Sequence, residues 1–495
     1  MRTIIAVSIA TLLATAVFIT ATLRQDQTIR NIGSRLELFV DDWLVDSIKG
    51  SQLVLHRPVP REIVLQIDQP WEKNNLKLLE TEHIGSPFGC AAVMKDGDVF
   101  RMYYTWDAGK KLCPTGYAES RDGIRWTKPS LGIIEFNGSM SNNLIWAESR
   151  VSDFNAFRDP NPQASPEERY KALAGDPPLA FVSVDALHWK KLRQEQVITD
   201  GAFDSQNVAF WDSEHKQYVA YYRDFYPLGI TSYRGSKMDE KKVNRDIKRA
   251  TSKDFIHWTQ GEWLSYGEVP REHFYTNAIA PYFRAPHLYL GFPMRFLPDR
   301  KKVAEHPDQG VSDQVFISSR DGRRWDRRFM EAFVYPGLDR QNWTDRNFIA
   351  AWGSPVPTST TEMSVYWVEH FRHTTNRVRR GTLRIDGITS LYAGFEGGEV
   401  ITHPLMFQGN SLMLNYATSA VGSVRVEVLE ASGEPIVGLS GEATTELYGD
   451  SVLERYRWQS SVDLGQWAGK PVRLRLHLKD AHLYSLQFQP SHAGE

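Results

Sequence analysis

Carboxylates that could act as acids or bases recur at a few places in this chain, each beside a short strand-like run. Asp159 stands in Phe157-Arg158-Asp159-Pro160, and Asp204 in Phe203-Asp204-Ser205-Gln206-Asn207. Asp41 and Asp42 are adjacent, while Glu80, Glu82 and Asp345 precede other such runs. Carboxyl acid–base chemistry needs two such groups in unlike settings, one held protonated by burial or a like charge and one kept ionised. Arg158 would hold Asp159 ionised if its guanidinium turned that way. Strand alternation would send Asp41 and Asp42 to opposite faces, so at most one, taken as Asp42, points inward. His273 and Tyr275, in Arg271-Glu272-His273-Phe274-Tyr275, could bind a hydroxyl or shuttle a proton. Trp343 and Arg346 offer a stacking surface and a charge before another run.

A repeat determines what must position these groups. Ser-x-Asp-x-x-x-Trp occurs at Ser120/Asp122/Trp126, Ser183/Asp185/Trp189, Ser252/Asp254/Trp258 and Ser319/Asp321/Trp325. A degenerate copy, Arg384-Ile385-Asp386-Gly387, keeps the aspartate and a glycine but no tryptophan. The aspartates step by 63, 69, 67 and 65 residues. A fixed period of that length, with an aromatic strand upstream of each copy, marks a radial repeat architecture. The expected fold is all-β: a five-bladed β-propeller over 36–394, with a C-terminal antiparallel β-sandwich over 395–490. Runs 396–402, 411–416, 423–428 and 471–477 alternate with period two, which supports the sandwich. The repeated aspartate reads as a turn former rather than a catalyst, because Asp readily accepts backbone N–H bonds from the next residues. The innermost strands should then be 85–93, 156–160, 206–211, 277–283 and 348–352, and carboxylates beside them could share one axial funnel. The run 36–40, Leu-Glu-Leu-Phe-Val, alternates as a strand that could seal the ring.

Composition narrows the class. The chain has 495 residues, a net charge of −2 and no basic stripe interleaved with aromatics, which argues against nucleic acid as a partner. Residues 1–23 begin Met1-Arg2 and continue uncharged and apolar, as a secretory signal does; an uncleaved membrane anchor is the alternative. A polar tether over 24–35 follows, and the bulk of the chain is expected outside the cytoplasm, periplasmic or extracellular. Two cysteines, Cys90 and Cys113, could form one disulfide or remain two thiols. No cofactor motif is present, and His370 and His373, three apart in a strand-like run, should face opposite ways rather than share a metal.

The five repeats, their Asp-Gly-x-x-Trp turns, Arg158-Asp159-Pro160 in the second blade and the trailing sandwich together resemble the five-bladed glycoside hydrolases. These are the families that hydrolyse fructans, arabinans and xylans. The resemblance implies a carbohydrate substrate, no cofactor, and for Asp159 the role of transition-state stabiliser. Two family landmarks are absent: no Asn-Asp-Pro stands near the first inner strand and no Glu-Cys in the third blade, where Asp204 occupies about the place of the acid glutamate. Glycoside hydrolysis requires a protonated carboxyl at the leaving oxygen and a second carboxylate as nucleophile or base. The expected catalytic set is therefore Asp159, Asp204 and Asp42, with Arg158, His273, Tyr275, Trp343 and Arg346 around the substrate. Each has a bland counterpart: Asp159 before Pro160 can organise a turn, Asp204-Ser205 can cap its own backbone, and Asp42 can be a solvated charge. A non-catalytic carbohydrate-binding propeller, and a lyase using His273 and Tyr275 as base and acid, are the competing readings.

Overall fold

The computed structural model describes residues 28–73, 88–89, 91–109, 112–229 and 242–490. The signal-like segment, Glu80, Glu82 and Cys90 lie outside them, and with Cys90 lies the disulfide question. The described chain is all-β apart from short 3-10 turns such as Pro166–Glu168. No helix among the described residues is long and apolar enough to cross a membrane.

Small antiparallel sheets follow one another along the chain. The first comprises Ala91–Asp96, Val99–Thr105, Thr115–Ser120 and Leu144–Trp146; the second, Asn155–Arg158, Tyr170–Ala174, Leu179–Ser183 and Trp189–Lys191. The third holds Val208–Asp212, Gln217–Tyr226, Asn244–Ser252 and Glu262–Trp263. The fourth pairs Ala280–Tyr282, Ala285–Gly291 and Ile317–Ser319, with the hairpin Met294–Leu297/Val311–Gln314 beside it. The fifth joins Val356–Pro357, Glu362–Glu369 and Arg377–Arg384 to an early strand, Val59–Gln66. Residues at or just ahead of their first strands meet. Ala92 bridges Trp352 in parallel, the Trp352 indole N–H reaches the Ile279 carbonyl at 2.8 Å, and the Gln206 amide reaches that of Ala350 at 2.9 Å.

The repeated turn has one construction in four places. In the second sheet the Ser183 hydroxyl donates to Asp185 and accepts the Ala186 N–H, while Asp185 Oδ1 accepts from Leu187 and His188. The residue after the aspartate is left-handed in every copy: Gly123, Ala186, Phe255 and Gly322 have φ of 72°, 69°, 67° and 70°. That conformation turns its carbonyl outward, and the motif tryptophan donates to it, as Trp189 Nε1 does to Ala186 O at 3.1 Å. A tyrosine of the neighbouring sheet donates to the same oxygen in three copies: Tyr103 to Ala186, Tyr221 to Gly322 and Tyr366 to Gly123. The motif therefore fastens sheet to sheet.

Three details differ from the sequence expectation. The run 36–40 does not join the last of these sheets; Glu37–Leu38 pairs with Leu486 and Ser485, and Val59–Gln66 is the early strand that pairs with Arg377–Arg384. The physical reason is its two-sided burial. Leu36, Leu38 and Val40 enter a core with Phe292 and Phe316, whereas Phe39 enters the core of the C-terminal strands. The tether contains a strand, Arg30–Gly33, parallel to Leu405–Phe407. Asp386 is not a fifth copy of the turn: it is itself left-handed (φ 60°), fully buried, and accepts from Tyr282, Arg284 and Ser485. The C-terminal strands, led by Ser411–Glu430 and Val472–Gln489, thus form one hydrogen-bonded sheet with Arg30–Gly33, Val45–Lys49 and Ser51–Leu55.

Two predictions follow from the turns. A Cβ at Gly322 would sit 2.5 Å from the Tyr221 hydroxyl on a left-handed backbone. Gly322→Ala should therefore cost about 1–3 kcal/mol, read as a fall in Tm. Burial works to raise the Asp185 carboxyl, but hydrogen bonds from His188, Leu187 and Ser183 outweigh it and hold the group at about 2, against an ordinary 3.8. A depressed folded-state value contributes stability above the unfolded pKa and loses it as pH falls through the folded one. Asp185→Asn should therefore flatten the loss of stability between pH 4 and 2 in acid-unfolding curves.

Candidate active site

The first strands of the sheets present two ends. Beyond their C-terminal ends lies a cavity of about 350 Å³ lined by Met94, Lys95, Arg158, Trp211, Phe283 and Pro357 among others, and no carboxylate among the described residues lines it. The residues that precede these strands carry the charge. Asn155, Asn207, Asn277 and Asn347 recur there, and each side chain is buried against backbone carbonyls, as Asn277 is against those of Gln206 and Tyr221. Two residues before these asparagines stand Asp153, Ser205, Tyr275 and Asp345.

Tyr275 is the centre of this end. Its backbone is pinned by its N–H to the Met294 carbonyl at 2.9 Å and by Ser205 Oγ to its own carbonyl at 2.5 Å. Three guanidinium groups surround its half-buried ring: Arg223 at 4.6 Å from the centroid, Arg245 at 5.3 Å and Arg346 at 5.4 Å. Arg223 lies in Gln217–Tyr226 and Arg245 in the adjacent Asn244–Ser252, so one hairpin supplies both. Burial works to raise the Tyr275 phenol, but the charges of Arg223, Arg346 and Arg245 prevail and lower it to about 8.

Two carboxyls are tied to this tyrosine through its arginines. Asp204 pairs with Arg223 and is exposed over two-thirds of its side chain (67%). Asp345 pairs with Arg346 and is fully buried. Burial pushes the Asp345 carboxyl up, against the opposing pull of Arg346 and Arg372, and its Oδ1 has no hydrogen-bond partner. Arg346, Phe348 and Arg372 all carry positive φ (56°, 68° and 59°). Left-handed backbone at non-glycine residues costs about 1–3 kcal/mol each and persists where surrounding structure enforces it.

The remaining sequence candidates fall differently. Asp159 is fully buried in its side chain, paired to Lys171 at 3.0 Å, and accepts from the Tyr218 hydroxyl at 2.6 Å and the Asn161 N–H at 3.0 Å. It lies at the opposite end of its strand from Tyr275, held by the second and third sheets, and Arg158 turns to Asp96 rather than to it. Arg158 is half exposed and lines the apolar cavity. Asp42 sits in a bend, not a strand, and pairs with Arg328 at 3.1 Å; Asp41 pairs with Arg320 at 2.7 Å. Both line a groove beside Trp43 and His403, away from the inner strands, because the segment packs towards the C-terminal sheet. His273 Nδ1 accepts the Arg245 N–H at 3.1 Å, one residue pair from Tyr275. Trp343 ends the 3-10 turn Arg340–Trp343 and donates to the Gly337 carbonyl; none of its described contacts joins it to the arginines.

Sequence reading missed Arg223 and Arg245, which lie inside strands read only for their aromatics. It also missed His306 and Asp308. The described residues able to surround a cation are His306, Asp308 and Asp345, with ligand atoms within 4.8 Å of one another. Arg372 pairs with Asp308 and stands 3.8 Å from Asp345, so a guanidinium already supplies positive charge there. His370 and His373 are not on opposite strand faces: both follow Glu362–Glu369 in a turn, with rings 6.2 Å apart.

No family model and no curated protein matches the chain. Solved structures of glycoside hydrolases do. One described simply as a glycoside hydrolase is 12% identical, with a TM-score of 0.42, over 66% of this chain and 92% of that one. A GH32 β-fructofuranosidase of Bombyx mori is 9% identical, TM-score 0.38, over 83% and 94%. An α-L-arabinanase of Penicillium chrysogenum, complexed with arabinobiose, is 9% identical, TM-score 0.38, over 69% and 99%. Likenesses at this level do not fix chemistry, which rests on the site itself.

Two measurements check the site. A difference titration at 295 nm should show one phenol ionising near pH 8, and Tyr275→Phe should abolish that step. Asp159→Asn should leave Lys171 buried beside a neutral amide, costing about 3 kcal/mol of stability in urea unfolding, while sparing the phenol titration.

Proposed function

We propose that this chain is an exported glycoside hydrolase, built as a five-bladed β-propeller with a C-terminal β-sandwich, whose active centre is the cluster at Tyr275. The observation that carries the reading is the pair of carboxyls in opposed settings, exposed Asp204 and buried Asp345, both linked through arginines to one tyrosine. Environments that push two titratable groups apart are how acid and base roles are divided. In this reading Asp345, whose carboxyl burial pushes up, supplies the proton to the leaving oxygen. Asp204 is the second carboxylate, and Tyr275 orients the sugar between them. The repeated turns, the meeting of residues at or just ahead of the first strands and the long C-terminal strands support the architecture; the apolar segment 1–23 supports export. Asp159 and Asp42 are structural in this account.

A second reading has one observation in its favour. A phenol lowered to about 8 is a competent base at neutral pH. Tyr275 could then remove a carbon-bound proton while His273, whose Nδ1 is occupied and whose proton is therefore on Nε2, donates to the departing oxygen. That lyase would leave an unsaturated product absorbing in the near ultraviolet, which hydrolysis does not.

The deciding experiment is product release from a panel of fructans, arabinans, xylans, pectins and marine polysaccharides. Asp204→Asn, Asp345→Asn and Tyr275→Phe should each lower kcat by about 100-fold or more. Asp42→Asn, and Asp159→Asn corrected for folded fraction, should change it by no more than about threefold. Full activity in all three cluster variants would place the active centre elsewhere. Ultraviolet-absorbing product would replace hydrolysis with elimination.

A further inference from the structure

The strongest unspent feature of the cluster is Arg223. Its side chain is 3% exposed, yet only one of its nitrogens is used, by Asp204. Nε and Nη1 are buried without a hydrogen-bond partner, and no other arginine among the described residues leaves two such atoms. A buried donor left unmade costs about 1–3 kcal/mol, and for a charged group more. Such a group in a folded protein calls for a missing partner. The one carboxylate it does hold, Asp204, is two-thirds exposed and so is the kind of counter-ion that solvent weakens.

The surroundings ask for the same kind of partner. Arg245 and Arg346 stand on the same tyrosine ring, so three guanidinium groups converge on one spot. Of the nearby carboxyls among the described residues, Asp345 is paired with Arg346 through Oδ2 and keeps one open oxygen, and Asp308 is paired with Arg372. A neutral sugar presents hydroxyls, which need acceptors as much as donors, whereas among the described residues Arg223 alone leaves two open donors against the one buried open oxygen of Asp345. An anion presents acceptors only. The phenol of Tyr275 feels these same three charges, which favour its ionised form.

We propose that Arg223, with Arg245 and Arg346 beside it, binds an anionic substituent of the sugar, either the carboxylate of a uronic acid or a sulfate ester. The inference rests on the cluster being the substrate site, and it narrows the substrate from carbohydrate in general to acidic carbohydrate. Arginine suits the task because its donors are fixed in a plane and its charge is permanent.

The test uses the full chain and needs no turnover. Galacturonate and glucuronate oligosaccharides, a sulfated disaccharide and a size-matched neutral oligosaccharide would be titrated calorimetrically, with the 295 nm phenol titration repeated in each. An acidic ligand should bind at least tenfold more tightly than the neutral one and weaken as salt rises. A bound anion should also move the phenol midpoint upward from about 8, because it offsets the arginine charge beside Tyr275. Which ligand does both distinguishes carboxylate from sulfate. Arg223→Gln should lose at least tenfold in acidic-ligand affinity, and Arg223→Lys should recover part of it. Equal binding of the neutral sugar, or an unmoved phenol midpoint with saturating acidic ligand, would overturn the inference. Acidic binding with no product from any substrate would keep the inference and sink the hydrolase reading. Cleavage of a neutral glycan with no acidic preference would do the reverse.

Discussion

The carbonyl of one left-handed residue governs how this molecule is assembled. A sheet of three or four short strands cannot bury both faces alone, so each must be held against a neighbour. The Ser-x-Asp turn forces the next residue into a left-handed conformation and leaves its carbonyl pointing across the gap. The turn's own tryptophan and a tyrosine from the preceding sheet then share that oxygen. Where the left-handed residue is Phe255, its ring takes the tyrosine's place, packing against Phe157 and Tyr218. Between the fourth and fifth sheets the link changes again, to Tyr282 donating into buried Asp386. Every contact of the series is polar or aromatic and directional, so the sheets are fixed in angle as well as in distance. That rigidity lets residues from different sheets converge on Tyr275.

Much of this was legible because the turn is chemically demanding. Serine, aspartate and tryptophan at fixed offsets are each needed for a named hydrogen bond, so their recurrence showed in the sequence along with its period. The first strands were legible in part: those of the second, third and fourth sheets fall on the expected spans, whereas the first begins at Ala91 and the fifth at Val356, later than 85–93 and 348–352. The early strand of the fifth sheet was not. The run 36–40 alternates and Val59–Gln66 does not, yet it is 59–66 that pairs there, because Leu36, Leu38 and Val40 face one core while Phe39 faces another. Nothing local in a sequence says which of two cores will claim a strand. Asp386 misled for a related reason: an Asp-Gly pair looks like the turn, but without the preceding serine the aspartate itself becomes the left-handed residue.

The site was half legible. His273, Tyr275, Arg346 and Asp204 lie just ahead of first strands, where position alone drew attention to them. Arg223 and Arg245 sit mid-strand, flanked by Tyr221, Tyr222 and Phe225, and such a run reads as core. The signal that could have found them is the oddity of arginine within an aromatic strand: Arg223 is nearly inaccessible, and long charged residues are seldom fully buried without a partner. The asparagine that begins the run into four of the five first strands was the other unused clue, because Tyr275 and Asp345 both stand two residues before one.

Asp159 shows why a motif and a site can part company. Arg-Asp-Pro places a carboxylate at a strand end whatever the neighbours are; what it does there depends on them. Here Lys171 on the adjacent strand and the Tyr218 hydroxyl on the next sheet consume its oxygens, and its side chain has no exposed surface. A carboxylate held by three donors and wholly enclosed offers no accessible oxygen to a reacting sugar. Arg223 is the converse case, a charge buried with donors to spare. The two are consistent with one another: the end of the strands that holds Asp159 balances its charges internally, while the end that holds Tyr275 leaves donors open. Chemistry on a substrate needs the second condition, which is why the proposed reading follows the arginine cluster rather than the motif that first drew attention to it.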